Sequence, residues 1–510
     1  MNFETLVSLG AYFALMLGIG VYAWRKSTSN VSEFMLGGRQ LSPAVAALSA
    51  GASDMSGWML MGLPGAIYLS GFSAAWIAVG LLIGAWANYL LVAPRLRVYT
   101  ELAGDAVTIP DFLEKRFDDK TRRIRVLASL VIVIFFTLYT SAGLVAGGKL
   151  FEASLGLDYT LGLFVTAGVV IAYTLFGGFL AVSLTDFVQG CIMFAALVLV
   201  PIVTIATLGG WSSTEATVVA AHPDYLSWFS GVTILGLISS LAWGLGYFGQ
   251  PHIIVRFMAV RSVRDMPTMR RIGMSWMAVT VIGSVLCGFA GLAYVTRTGL
   301  TLNDPETIFI VLSQTLFHPY VAGFLLAAIL AAIMSTISSQ LLVSSSSLTE
   351  DFYKTFFRRE ASQSELVLVG RLATLAVAVV AMGLALDRSS SILSLVGNAW
   401  AGFGAAFGPV ILLSLHWKRM TASAALAGIV AGAATVLVWL YAPFTIGGVA
   451  PSQAIYEIVP GFIVSGLVAL LVARFGKSAP PEVAATFDEM LAADGLGRSG
   501  KGAARETPVS

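Results

Sequence analysis

Long apolar runs recur through this sequence, and they limit the folds open to it more than any other feature. The 510 residues are 57% apolar and only 11% charged, and the mean hydropathy is +0.84. A soluble protein of this length needs more charge to cover its surface, whereas a bilayer favours an apolar exterior. The 52 glycines suit close contacts between membrane helices. We therefore predict an all-α membrane protein.

A spanning helix needs about 20 mostly apolar residues, and thirteen runs meet this condition. They lie at 5–24, 41–68, 71–94, 126–148, 159–180, 184–209, 231–250, 272–296, 319–347, 365–386, 391–417, 422–442 and 454–474. No Lys or Arg precedes the first run, so it lacks the basic start of a secretory signal and is predicted to be a membrane helix.

The distribution of Lys and Arg tests this count, because these residues concentrate in cytoplasmic loops. With thirteen spans, 27 of the 30 fall in one alternating set of loops that includes the C-terminal tail. The other set holds only Lys149, Arg297 and Arg388. A missed or invented span would move every later loop to the other side and destroy this asymmetry. We predict an outside N-terminus and a cytoplasmic C-terminus.

Two segments outside the runs have a composition of their own. Residues Thr108–Phe117 are predicted to form a short amphipathic helix that opens at Pro110, and we interpret it as a solvated surface segment near the lipid headgroups. The tail at 476–510 is rich in Ala, Gly, Pro, Ser and charge. This composition predicts a poorly ordered cytoplasmic segment.

Motifs typical of nucleotide-binding enzymes occur, but without their structural context. Gly244–Gly249 satisfies GxGxxG inside a membrane run, where no βαβ unit can surround it. Gly143–Leu150 approaches a phosphate loop, yet Leu150 replaces the Ser or Thr that binds magnesium. The four histidines lack metal-ligand spacing. We therefore predict neither an enzyme nor an organic cofactor.

The second run contains an acid in the middle of its apolar sequence. Asp54 lies among small residues in Ser49–Trp58. An Asp at the centre of a membrane helix costs roughly 2.5–3.5 kcal/mol, so such a residue usually has a function. A broken helix would expose backbone dipoles to ions and substrates there. The structural alternative is that Asp54 only caps a half-helix by accepting from freed N–H groups.

The seventh run is interrupted as well, by glycines within Ser239–Pro251. Two broken helices five runs apart are the pattern of an inverted repeat with a site at their crossing. Trp243 and Tyr247 are four residues apart and share a face on any helical portion. They predict the wall of a substrate pocket, and the alternative is an aromatic belt or core stripe.

The ninth run carries adjacent hydroxyls. Side chains lean toward the N-terminus of a helix, which brings Ser335 and Thr336 near the carbonyl of Ala332. Sodium is a hard cation that prefers oxygen ligands, as calcium does, and carbonyls of an unwound second helix would complete its shell. The alternative is the usual role of membrane Ser and Thr, hydrogen bonding within their own helix.

Several longer runs resemble the sodium/solute symporter family, close to its sodium/proline branch. They are Leu36–Arg39, Leu48–Trp58, Gly244–His252, Ser335–Thr336, Thr349–Lys354 and Ala399–Pro409. The resemblance implies one transmembrane transporter domain at 1–475. Its LeuT-type core would consist of two inverted five-helix repeats, at about 41–209 and 231–417, with one extra N-terminal and two extra C-terminal helices.

The same resemblance implies the residues of the site. Sodium would be bound by the carbonyls of Ala52, Met55 and Ala332 and the hydroxyls of Ser335 and Thr336, with Asp54 in support. Proline would contact Ser56, Gly57, Tyr139, Trp243 and Tyr247, and Arg39 would act in coupling or gating. We expect the substrate carboxylate to take exposed backbone N–H groups at the helix break.

The function implied is sodium-coupled uptake of L-proline by alternating access across a bacterial inner membrane. The partners are then proline, sodium as coupling ion and the lipid bilayer, without nucleic acid or an obligatory protein partner. One alternative is a sodium symporter for another small solute, such as a different amino acid, pantothenate or a sugar. Another is a membrane sensor derived from a transporter, which would usually append a signalling domain.

Overall fold

The computed structural model describes residues 3–26, 31–387 and 391–498. Within these ranges the secondary structure is helical, and the β-pairing consists of isolated bridges at Leu41–Val260 and Ile446–Val449. The prediction of an all-α protein is confirmed. Arg388, one of the three cations predicted outside, falls beyond the described residues.

The helices are named here in chain order. The N-terminal half contains α1 (Phe3–Lys26), α2 (Val31–Leu36), α3 (Pro43–Asp54), α4 (Leu63–Ser70), α5 (Trp76–Leu91), α6 (Ala93–Leu102), α7 (Ile109–Phe117), α8 (Arg123–Leu155), α9 (Tyr159–Thr207), α10 (Trp211–Ala221), α11 (Ile234–Ala242) and α12 (Pro251–Ala259). The C-terminal half contains α13 (Met266–Thr298), α14 (Ile308–Leu316), α15 (Pro319–Ser346), α16 (Lys354–Phe356), α17 (Gln363–Leu384), α18 (Ile392–His416), α19 (Ala422–Tyr441), α20 (Pro451–Ala454), α21 (Ile458–Phe475) and α22 (Pro481–Arg498).

Ten helical segments of the described chain are long and apolar enough to cross a membrane. They match ten of the thirteen predicted runs, so the chain is a multi-pass membrane protein. The runs predicted at 41–68, 159–180 and 231–250 are instead broken or short. Helix α9, for example, leaves helical geometry at Gly178, with φ 58° and ψ −153°. The count of thirteen spans and the side of each terminus stay predictions.

The two interruptions predicted from sequence occur where the pattern placed them. Helix α3 ends at Asp54, Met55 leaves helical geometry with φ −86° and ψ 79°, and the chain resumes as a π-helical turn at Trp58–Gly62. The second interruption is a 3₁₀ helix, Trp243–Gly249, between α11 and α12. A Cβ at Gly246 would lie 1.9 Å from Nε1 of Trp400, so only glycine permits this approach to α18.

Helix α7 begins as predicted, but its environment differs from the prediction. Thr108 caps it by accepting from the backbone N–H of Asp111 at 3.1 Å. Phe112 and Leu113 are fully buried, and Arg116 is 1% exposed. The interpretation as a solvated surface segment is therefore wrong, because the apolar face of this helix packs into the protein.

The tail also departs from its prediction. Residues 481–498 form α22, which packs on α6, where a poorly ordered segment was expected. Val483, Phe487 and Met490 are buried, and their spacing of four and three residues places them on one helical face. The polar composition of the tail concealed this stripe. The prediction for 499–510 falls on residues outside the described ranges.

Candidate functional site

The break after α3 meets the middle of α15 through hydrogen bonds. The hydroxyl of Ser335 donates to the carbonyl oxygens of Ala52 at 2.7 Å and Ala332 at 3.1 Å. The hydroxyl of Thr336 donates to Ala332 O at 3.2 Å. Four oxygen atoms from two helices thus lie around one point, and their residues are buried. An all-oxygen cluster of this kind suits a hard cation.

The end of α3 explains why a carbonyl is available there. The last carbonyls of a helix have no partner within the helix. The N–H of Met55 donates to Gly51 O at 3.0 Å, and the N–H of Ser56 donates to Asp54 O at 3.0 Å. The carbonyl oxygen of Ala52 instead accepts from the hydroxyl of Ser335. Both of these N–H groups are engaged, and the expectation that N–H groups at the break bind the substrate carboxylate stays a prediction.

Asp54 connects the two interrupted segments. It is 2% exposed, and its Oδ2 accepts a hydrogen bond from the hydroxyl of Tyr247. Its Oδ1 has no hydrogen-bond partner in the described part of the chain. Because its carboxylate receives no backbone N–H there, Asp54 does not act as a helix cap. It borders a cavity of about 20 Å³ that Asn88 and Met277 also line, enough for a water molecule.

Trp243 and Tyr247 do not share a face, as an α-helix would have placed them. In a 3₁₀ helix, residues four apart differ by about 120°. Trp243 stacks on Tyr456, with ring centroids 5.2 Å apart, whereas Tyr247 meets Trp400 edge-on at 5.1 Å. The two rings therefore line separate walls near the second interruption.

The remaining residues expected at the substrate pocket are tightly enclosed. Tyr139 and Ser56 are at most 1% exposed, and their two side chains interact with each other. A Cβ at Gly57 would lie 2.9 Å from Cβ of Ala146 and 3.3 Å from Cγ1 of Ile333. Gly57 thus allows the break to approach both α8 and α15.

Arg39 lies apart from these clusters, where α3 is about to begin. Its guanidinium pairs with Asp105 at 2.8 Å and donates to Thr100 Oγ1 at 3.2 Å. It also donates to the carbonyls of Met258 at 2.8 Å and Ala106 at 2.6 Å. One side chain thus ties the entry to α3, the α6–α7 connection and the end of α12 together.

A second buried acid was missed from the sequence. Asp186 and Arg256 are both fully buried and form an ion pair at 3.1 Å. Ser49 donates to Asp186 at 2.7 Å, and Arg256 donates to Ser339 at 2.6 Å. The signal was available, since Asp186 interrupts the run at 184–209 as Asp54 interrupts its own. Arg256 had been counted among the cytoplasmic loop cations, which is wrong because it lies inside the helix bundle.

Comparison with known proteins identifies the family of the chain. The profile of the sodium:solute symporter family matches residues 34–432. The chain belongs to the sodium:solute symporter family. Its function is therefore that of a membrane carrier, and the resemblance found in its motifs is confirmed.

Relatives in this family extend over almost the whole chain. An osmoregulated proline transporter, OpuE, and a high-affinity proline transporter, PutP, both of Bacillus subtilis strain 168, are each 58% identical; they cover 94% and 93% of this chain and 96% and 98% of their own length. A sodium/proline symporter of Staphylococcus aureus strain JH9 is 54% identical and covers 93% of both chains.

Solved structures with the same fold are more distant in sequence. A Na⁺-coupled sialic acid symporter in a substrate-bound outward-open state superposes with a TM-score of 0.80 at 21% identity, over 94% of this chain and 99% of its own. A nucleobase-cation-symport-1 family transporter in a closed conformation gives 0.56 at 12% identity, over 91% and 99%. The family member thus has the LeuT-type fold that was predicted.

Proposed function

We propose that this carrier is a sodium/proline symporter of the bacterial inner membrane, with its N-terminus outside and its C-terminus in the cytoplasm. The identity of 54–58% to proline transporters over more than nine-tenths of the chain supports proline as the solute. The strong asymmetry of Lys and Arg between the predicted loops supports the orientation.

The contact between Ser335 and Ala52 is the observation that carries the sodium site. In the structure, the hydroxyls of Ser335 and Thr336 donate to the carbonyls around them. When sodium binds, both hydroxyls turn their oxygens toward it and Ala52, Ala332 and Met55 contribute carbonyls. Sodium then fixes the end of α3 to α15, while the charge of Asp54 stabilises the cation at short range.

Proline would bind beside this cluster, where the two interrupted segments meet. Its ring gives apolar contact with Trp243 and Tyr247, and its ammonium gains cation–π attraction from the same rings. Tyr247 also donates to Asp54, so the substrate wall and the residue supporting sodium are one hydrogen-bonded unit. Sodium bound at the break thereby orders the pocket for proline.

Release to the cytoplasm requires the contacts of Arg39 to separate. This side chain and the paired backbone of Leu41, which donates to Ala259 O at 3.2 Å, hold the start of α3 against the end of α12. Alternating access then opens this seal after both cargoes have bound. Each sodium ion that crosses ~100 mV gains about 2.3 kcal/mol, which supports roughly 50-fold accumulation.

The test is uptake of radiolabelled proline by the purified protein in liposomes under an inward sodium gradient. We expect uptake to stop when choline replaces external sodium. Competition by a panel of amino acids, pantothenate and sugars tests the solute, and unlabelled proline should compete best. Uptake that persists unchanged in choline refutes the sodium site. A sugar or another amino acid that outcompetes proline refutes the solute.

A further inference from the structure

A groove lies on the outer surface of the helix bundle, between α1 and the part of α9 that follows Gly178. It has a volume of about 440 Å³, within the usual range of about 300–1,000 Å³ for a ligand cleft. Its lining is apolar and includes Leu15, Gly18, Ile19 and Tyr22 from α1 and Phe187 and Val188 from α9. The groove therefore suits an apolar ligand, away from the residues expected to bind sodium and proline.

Two glycines of α1 show which of its faces is packed and which is open. A Cβ at Gly20 would lie 2.8 Å from Cβ of Tyr173, so this face of α1 packs closely on α9. A Cβ at Gly18 would meet no neighbouring atom of the described chain within 4 Å. On the same side of the helix, Leu15 is 48% exposed and Tyr22 is 50% exposed. The space at Gly18 is thus not needed for helix packing and is available to a ligand.

Two cations continue the face of α1 that lines the groove. Lys26 follows Tyr22 by four residues, and its Nζ lies 5.0 Å from the centre of the Tyr22 ring. Arg25 follows Gly18 by seven residues, and both spacings place side chains on one helical face. Arg25 and Lys26 are exposed, and within the described ranges no carboxylate forms an ion pair with either. The apolar groove therefore ends at two positive charges.

Aromatic side chains mark the level of the lipid headgroups at this end of α1. Tyr22 is 50% exposed and Trp24 is 47% exposed, and both residue types concentrate at the membrane–water interface. Leu15 lies about 10 Å deeper along the helix than Tyr22, at the level of the acyl chains. Under the proposed orientation, this is the cytoplasmic leaflet, whose anionic lipids attract Lys and Arg beside a membrane helix.

We propose that the groove between α1 and α9 binds one anionic phospholipid. An acyl chain lies along Leu15, Gly18 and Phe187, and the phosphate of the headgroup contacts Arg25 and Lys26. The apolar lining accepts the chain of any phospholipid, so the two cations provide the preference for a headgroup with a net negative charge. The inference does not depend on which solute or ion the carrier transports.

The experiment is native mass spectrometry of the purified protein with added lipid. The probes are palmitoyl-oleoyl-phosphatidylglycerol, which is anionic, and the phosphatidylcholine with the same two chains, which carries no net charge. We expect the wild type to bind the first phosphatidylglycerol roughly 10- to 30-fold more tightly than phosphatidylcholine. The double variant Arg25→Gln/Lys26→Gln should reduce this preference to about threefold or less and leave the affinity for phosphatidylcholine unchanged.

A matched pair of substitutions tests the groove itself. Gly18 and Gly10 are both exposed on α1, and a Cβ at either would meet no neighbouring atom of the described chain within 4 Å. Gly18 lines the groove, whereas Gly10 lies about two turns nearer the N-terminus. We expect Gly18→Trp to fill the groove and weaken binding of both lipids about tenfold, and Gly10→Trp to change neither affinity.

Four results would overturn the lipid site. They are equal affinity of the wild type for the two lipids, a preference that persists in Arg25→Gln/Lys26→Gln, the same affinities in Gly18→Trp and Gly10→Trp, and a dimer that Gly18→Trp abolishes and Gly10→Trp retains. The last result would assign the groove to a second copy of the chain. Because lipid binding is measured without transport, a wild type that takes up no proline would refute the proposed function and leave this inference standing.

Discussion

Asp54 and Asp186 are two fully enclosed carboxylates in neighbouring parts of the core, and they differ in what faces them. Asp186 has Arg256 at 3.1 Å and the hydroxyl of Ser49 at 2.7 Å. Asp54 has only the hydroxyl of Tyr247 and, in the described part of the chain, no cation within ion-pair distance.

This difference indicates that the two acids have different roles. A buried charge needs a partner, and Arg256 is that partner for Asp186. Arg256 is further held by Ser49 at 3.0 Å and by the backbone of His252 at 2.5 Å, so the pair fastens α9 to α12. Under the proposed function, Asp54 gains a partner when sodium binds, whereas Asp186 already has one. We therefore expect Asp186 to maintain the structure and Asp54 to act in sodium binding.

The largest expected effect is on stability at the paired acid. Asp186→Leu leaves Arg256 buried without a counter-charge, which costs about 3–5 kcal/mol. We expect the thermal unfolding midpoint in detergent to fall by several degrees. The double variant Asp186→Leu/Arg256→Met should recover most of the loss, because a buried ion pair can be replaced by apolar side chains. A double variant as unstable as the single one would contradict the pairing.

Asp54→Asn should have the opposite profile. Asparagine still accepts from Tyr247 but removes the charge, so the unfolding midpoint should change little. An uncompensated central Asp costs roughly 2.5–3.5 kcal/mol, which a bound cation returns; its loss predicts about a 100-fold weaker apparent sodium affinity. Sodium titration of uptake measures this, and Asp54→Glu, which keeps the charge, should lose less. Unchanged sodium affinity would end the distinction between the two acids.

The contrast also shows what could be read from the sequence. Asp54 was found because small residues and glycines surround an acid in an apolar run. The interruptions of the second and seventh runs were predicted from the same kind of composition. Asp186 carries the same signal without glycines next to it. Its partner Arg256 follows the second break, where counting charges by loop assigned it to the cytoplasm. Periodicity cannot tell that a helix continues into the bundle after an interruption.

Most contacts between segments distant in the chain could not be predicted from the sequence either. The oxygen cluster could be expected because Ala332, Ser335 and Thr336 lie within one helical turn. The rotation between Trp243 and Tyr247 could not, since it depends on whether the segment is an α-helix or a 3₁₀ helix. Close approaches such as that of Gly246 to Trp400 decide between the two.

A smaller effect tests whether sodium and substrate use separate groups beside Asp54. Thr336→Val keeps the shape and removes one oxygen, and we expect about a tenfold weaker sodium affinity with little change for proline. Trp243→Ala removes apolar and cation–π contact and should weaken proline affinity about tenfold. Both constants are measured by uptake at varied sodium and varied proline. Equal sodium sensitivity in the two variants would mean that the two sites are not distinct.

Arg116 shows a third way to hold a buried charge. It is 1% exposed, and its Nε donates to Ser414 O at 3.1 Å. Its other two guanidinium nitrogens have no hydrogen-bond partner among the described residues. Instead the guanidinium lies about 5 Å from the rings of Tyr99, Phe117 and Phe487. Burial lowers its pKa to about 10, and Tyr99 opposes that shift.

The ring of Phe487 therefore links the tail helix to this charge, and its loss gives the most local effect predicted. A buried cation–π contact contributes about 1–2 kcal/mol, so Phe487→Ala should raise the open fraction of α22 roughly tenfold and leave unfolding of the core unchanged. Hydrogen exchange over 481–493 measures this opening. Leu491→Ala, at an exposed position of the same helix, should have no effect. A wild-type tail that exchanges as fast as an unfolded peptide would restore the expectation of disorder, and Arg116 would then need another partner.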